Sequence, residues 1–207
     1  MLVLLVFLII VLRKTYNKQK EVKTDLIFTN LEIELYFKDR KNILTFISYE
    51  CIVNKEDYRE FEKNIIWTGE KYNYTKIVES SGHYSLSDSN RKSSPYSYTV
   101  DFNKKLSIGD FLYFKLETSV YDGDLSMNPV FSHMIKNQTN KFIIKLTVPK
   151  NLVKNVRPKV YKDIGRTIEV PNDIDLKINN VGDYLQYSYS LNNPTLLNNY
   201  FIEWDFK

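Results

Sequence analysis

One cysteine, two histidines, six glycines and six prolines are spread over 207 residues, and each shortage removes a class of function. A lone thiol, Cys51, cannot build a disulfide framework, the usual brace of small exported domains. A structural zinc site draws three or four Cys, His or carboxylate ligands, usually in tight pairs. Cys51, His83 and His133 are too few and too far apart in sequence for that. The glycines are never clustered, so no phosphate-cradling loop is present. Neighbouring side chains of a strand point to opposite faces, which separates Ser132 from His133 and leaves no Ser-His pair for nucleophilic catalysis. No catalytic, cofactor-binding or metal-binding residue is assigned from sequence, and a non-enzymatic protein without cofactor is expected.

Charge of one sign is also missing from most of the chain. The formal net charge of +4 comes mostly from residues 13–25, which carry Arg13, Lys14, Lys18, Lys20 and Lys23 against Glu21 and Asp25. The remainder is close to neutral, which argues against a general nucleic-acid binder, since that needs a concentrated positive face. The densest basic stretch of the body is Lys150, Lys154, Arg157, Lys159, Lys162 and Arg166, with Asp163 the only acid among them. It is read as a solvated strand face and loop.

What is present begins with an uninterrupted apolar run: Leu2, Val3, Leu4, Leu5, Val6, Phe7, Leu8, Ile9, Ile10, Val11 and Leu12. As a helix, residues 1–12 reach about 18 Å at ~1.5 Å per residue. A bilayer core of ~30 Å asks for about 20 apolar residues. A signal peptide would show a charged leading region and a small-residue cleavage site, and neither is seen. A hydrophobic first strand is the competing reading, because several of these residues are β-branched. The expectation is a short N-terminal transmembrane helix with the basic linker 13–25 behind it. By the positive-inside rule, Arg13, Lys14, Lys18 and Lys20 keep the following body on the cytoplasmic side.

The body, residues 26–207, reads as strands. Sixteen tyrosines and twelve phenylalanines, with no alanine, favour β-structure. Alternation of period two recurs along the chain. Leu31, Ile33, Leu35 and Phe37 share one face. So do Leu112, Phe114, Leu116 and Val120; Phe142, Ile144, Leu146 and Val148; Leu185, Tyr187, Tyr189 and Leu191; and Tyr200, Ile202, Trp204 and Phe206. Further strands are expected near 43–53, 62–67, 71–78, 96–102, 130–135, 156–161 and 173–178. Asp122-Gly123 and Asn172-Asp173 mark turns, and only residues 54–62 could hold a helical turn. Residues 80–95, with seven serines, read as a mobile loop. The class is all-β: an antiparallel sandwich, immunoglobulin-like, or a barrel, with a split near residue 150 as the alternative to one body.

Three segments carry a resemblance. The stretch from Met127 through Pro129, Phe131 and His133, the strand from Phe142 that closes on Pro149, and the terminal Tyr200, Ile202 and Trp204 resemble a β-module of uncharacterised bacterial proteins that ends in Y-x-I-x-W. That resemblance implies a β-sandwich and brings no activity. In layout, the chain also resembles bacterial antiviral effectors that place a nucleotide-sensing β-barrel behind transmembrane helices.

The combined expectation is a membrane-anchored, non-enzymatic β-sandwich that binds a protein partner or a small ligand at the cytoplasmic face. The alternatives are a sensor-effector whose β domain controls membrane perturbation by the helix, and an exported surface domain. Topology is directly measurable. With Lys207→Cys in a Cys51→Ser background, a membrane-impermeant maleimide is expected to label only after cell lysis, with the protein in the membrane fraction. Labelling of intact cells would place the body outside.

Overall fold

The computed structural model describes residues 24–90, 95–162, 167–169 and 174–207. The apolar run Leu2 to Leu12 and the basic residues Arg13, Lys14, Lys18 and Lys20 lie outside them, as does the expected helix. Among the described residues no helix is long and apolar enough to cross a membrane.

The described residues of the body are all-β, with fourteen strands in three sheets. The strands are β1 (Leu26–Phe37), β2 (Asn42–Val53), β3 (Tyr58–Ile65), β4 (Lys71–Ser80), β5 (Ser85–Asn90), β6 (Tyr96–Leu106) and β7 (Phe111–Tyr121), followed by β8 (Val130–Met134), β9 (Lys141–Pro149), β10 (Val153–Lys162), β11 (Thr167–Glu169), β12 (Lys177–Val181), β13 (Tyr184–Asn192) and β14 (Asn199–Phe206). A seven-stranded sheet runs β12-β13-β9-β1-β2-β7-β4. A four-stranded sheet, β11-β10-β14-β8, and a three-stranded sheet, β3-β6-β5, contribute to the same core.

Period-two burial builds that core. Leu31, Ile33, Leu35 and Phe37 of β1 and Phe142, Ile144, Leu146 and Val148 of β9 are all buried on the inner face. They are joined by Phe114 and Leu116 of β7 and by Ile202 and Trp204 of β14. Trp204 is fully enclosed and meets Phe37 edge-on, with ring centroids 5.8 Å apart. Each such side chain contributes about 1.5–3 kcal/mol of burial.

β1 changes phase without changing face. Leu26 and Phe28 point inward at even positions, and Leu31 onward at odd ones. A bulge between Phe28 and Asn30 absorbs the extra residue, and Asn30 Nδ2 donates to Glu50 Oε1 across the pair at 3.1 Å.

Several expectations are corrected. Residues 85–90 within the serine-rich stretch form β5, paired with β6, because alternating serines tolerate the pleat once a partner supplies the ladder. Residues 54–57 turn and β3 begins at Tyr58, so 54–62 holds no helix. The strand expected at 173–178 lies at Lys177–Val181. β1 and β9 pair in parallel, Leu31 opposite Phe142 and Leu35 opposite Leu146. Alternation has the same period in parallel and antiparallel ladders, so sequence pattern could not distinguish them. There are three sheets where two were expected.

The Asp122-Gly123 turn does more than reverse the chain. Asp122 is fully buried, pairs with Arg40 at 2.5 Å and accepts from the Met127 amide at 2.9 Å. The Arg40 guanidinium also lies over the Phe206 ring at 3.7 Å. This ion pair ties the β1–β2 hairpin to the loop that leads into β8. In the basic stretch, Arg157 and Lys159 are neutralised by Glu203 and Asp205 of β14, as a solvated face requires.

Candidate functional site

The two smaller sheets do not join. β3 is an edge strand of one and β8 an edge strand of the other. Where they approach each other over the β1–β2 part of the large sheet, a cavity of about 670 Å³ opens between them. That size is within the range of small-ligand sites.

Its walls follow from alternation. Along β3 and its continuation, Phe61, Lys63, Ile65 and Trp67 are buried or half-buried, while Glu62, Asn64 and Ile66 are exposed. Along β8 and its continuation, Phe131, His133 and Ile135 are sheltered, while Val130, Ser132 and Met134 are exposed. The floor is apolar, from Phe28, Ile33 and Ile47 among others. Exposed Ile66, Val130 and Met134 form an apolar collar at the mouth.

Two polar residues break the inward apolar pattern. Lys63 and His133 occupy inward positions on facing edges, and Lys63 Nζ lies 3.4 Å from His133 Nε2. Lys136 lines the same cavity. Burial, with the Lys136 charge beside it, pulls the Lys63 pKa down to about 8. Burial also holds His133 well below the ordinary imidazole value, with Lys63 and Lys136 adding to the effect. The only carboxylate on the lining is that of Glu62, which sits on the opposite, exposed face of β3. The Trp67 Nε1 donor is buried on the wall without a hydrogen-bond partner. Gly69 lets that indole sit where it does, since a Cβ there would lie 2.5 Å from the Trp67 ring and 2.7 Å from Asp122 Oδ1.

Sequence reasoning placed His133 on a strand and separated it from Ser132, and the structure shows both. It did not find Lys63 or Trp67. The available signal was a lysine at an inward position of the alternating run Phe61, Lys63, Ile65, Trp67. Cys51 is fully buried, as expected, and burial raises its thiol pKa to about 12, so it is no nucleophile at neutral pH. Among the described residues no three His, Cys, Asp or Glu side chains come together as a metal-binding group.

No protein-family model and no curated protein matches the sequence. Solved structures do match the fold. A protein from Parabacteroides distasonis provisionally described as a protease aligns with a TM-score of 0.60 and 9% identity, over 87% of this chain and 40% of its own. An M1 zinc metallopeptidase mutant from Deinococcus radiodurans, bound to a Tyr-Ser-Ala substrate, aligns with a TM-score of 0.51 and 7% identity, over 86% of this chain and 42% of its own. A two-domain M1 zinc metallopeptidase mutant bound to L-tryptophan gives 0.51 and 6%, over 87% and 43%. At these identities the likeness is one of fold, and the chain spans about two-fifths of each neighbour's length. These neighbours overturn the expectation of a non-enzymatic binding module: the fold is one that metallopeptidase structures contain.

The charge of Lys63 has a cost that can be measured. Its folded pKa, about 8, lies below the unfolded value near 10.5. The unfolded chain therefore binds the proton more tightly, and stability rises with pH between those values. At pH 7 the full penalty applies. Lys63→Met is expected to be more stable than the parent at pH 7 by about 1–3 kcal/mol, with the margin narrowing towards pH 10. Thermal unfolding at the two pH values checks this, and a less stable variant at pH 7 would mean that Lys63 is charge-compensated in the fold.

Proposed function

We propose that this chain works within a peptide-hydrolysing protein of the zinc metallopeptidase type, where its β fold supplies a cavity that holds part of the peptide. The observation that carries the reading is the fold likeness over 86–87% of the chain to peptidase structures of which it spans only 40–43%. His133 faces two lysines, surroundings that repel a cation, and no three-ligand group exists among the described residues. Bond cleavage is therefore assigned to a second part, of the kind that fills the remaining length of the neighbours. The cavity supports the peptide role because its floor is largely apolar, its mouth is open and its wall carries Lys63 and the unpartnered Trp67 indole N–H.

A tether through residues 1–12, with the body at the cytoplasmic face, is compatible with this role and is carried by the apolar run and its basic flank alone.

Trp67 reports on the cavity, and the other tryptophan, Trp204, is fully buried elsewhere in the core. Titrating the full chain with short apolar peptides is expected to give a saturable change in tryptophan fluorescence that Trp67→Phe removes. No peptide cleavage is expected from the chain alone with added zinc. Absence of binding up to millimolar peptide would refute the reading, and zinc-dependent cleavage by this chain alone would move the chemistry into it.

A further inference from the structure

Inward positions of a sheet that face a core are apolar unless a charge there has a partner, because an unpaired buried charge is expensive. Lys63 and His133 break that rule on two strands from different sheets, and they break it at the same place. Lys136, itself exposed, adds a third base at the rim of the cavity. Among the described residues no ion pair forms on either lysine, whereas many surface lysines of this protein, such as Lys76, Lys145 and Lys159, do have carboxylate partners. Next to the basic cluster lies Trp67 Nε1, a buried donor with no acceptor, which in a folded protein calls for an explanation. Lys63 and the Trp67 indole both offer donors to the inner wall. The floor below it is largely apolar, with Thr45 and Thr139 among the polar residues of its lining.

A ligand that satisfies both needs an anionic end and an apolar body. A phosphate-rich ligand would meet the lysines but leave the floor of Phe28, Ile33 and Ile47 unmatched. An apolar ligand without charge would fill the floor but leave the Lys63 charge, which has only the His133 ring beside it, without a counter-ion and the indole N–H without an acceptor. We infer that the cavity between β3 and β8 binds the C-terminal end of an apolar peptide, its α-carboxylate held by Lys63, Lys136 and the Trp67 indole, and its last side chains on the β1–β2 floor. This rests on the peptide-handling reading above and names the end that is recognised. The choice of a peptide over another alkyl carboxylate follows from the edges. β3 and β8 each present unpaired backbone groups to the seam, which an extended peptide can bond and an alkyl chain cannot.

The test compares an N-acetylated Leu-Leu-Phe peptide as free acid and as C-terminal amide, with laurate as the lipid-like carboxylate, on the full chain by calorimetry. The free acid is expected to bind at least about ten-fold more tightly than the amide, as a charge-assisted contact implies. Lys63→Met, which the stability argument expects to fold well, should bring the acid down to the amide, and Lys150→Met should not. Equal binding of acid and amide overturns carboxylate recognition while leaving the peptide role standing. Binding of neither overturns both. Laurate binding more tightly than the free acid overturns the peptide assignment in favour of a lipid-like ligand.

Discussion

The inner face of this protein depends on a seam that is left open. Strands β3 and β8 are edges of separate sheets that pack beside each other on the large sheet, and no ladder joins them. Had they paired, the second layer would be continuous and its inward side chains would have met the floor as an ordinary core. Because they do not, Phe28, Ile33 and Ile47 line a void, and a single side-chain hydrogen bond, Lys63 to His133 at 3.4 Å, bridges the two edges. Close packing normally removes a space of this size. Its persistence, with charge on its wall, is the physical basis for reading it as a site.

The surrounding structure holds the seam apart. The Arg40–Asp122 pair ties the β1–β2 hairpin to the loop before β8, and Gly69 seats the Trp67 ring against that same aspartate. Trp204 and Ile202 on β14 fix the sheet that carries β8 against β1 and β9. These contacts are mostly buried, so the cavity wall rests on the protein's own core. The apolar collar of Ile66, Val130 and Met134 is exposed already.

Much of the fold was legible in the sequence, and for one reason: alternation records which face of a strand is buried. The runs at 31–37, 112–120, 142–148 and 200–206 are strands with the faces they announce. What alternation does not record is which strand lies next to which, so neither the parallel β1–β9 pair nor the division into three sheets was visible. The serine-rich stretch misled because its strand β5 is held by the ladder to β6 and not by apolar burial. The site was hidden for the same reason as the topology. Lys63 and His133 are seventy positions apart, and only the meeting of two sheet edges brings them together. Asp122, read as a turn residue, gave no local sign of its buried ion pair with Arg40. The N-terminal run, the plainest feature of the sequence, bears on location and not on this chemistry.

The measurement closest to the central claim is amide hydrogen exchange across the second layer. An open seam predicts that alternate amides of β3 and β8, those facing away from β6 and β14, exchange orders of magnitude faster than amides of β1, β2 and β9, although all belong to one core. They should slow when a peptide fills the gap. Uniform protection along β3 and β8 in the free protein would mean that the two edges are paired in solution, and the cavity, with every role assigned to it, would not exist.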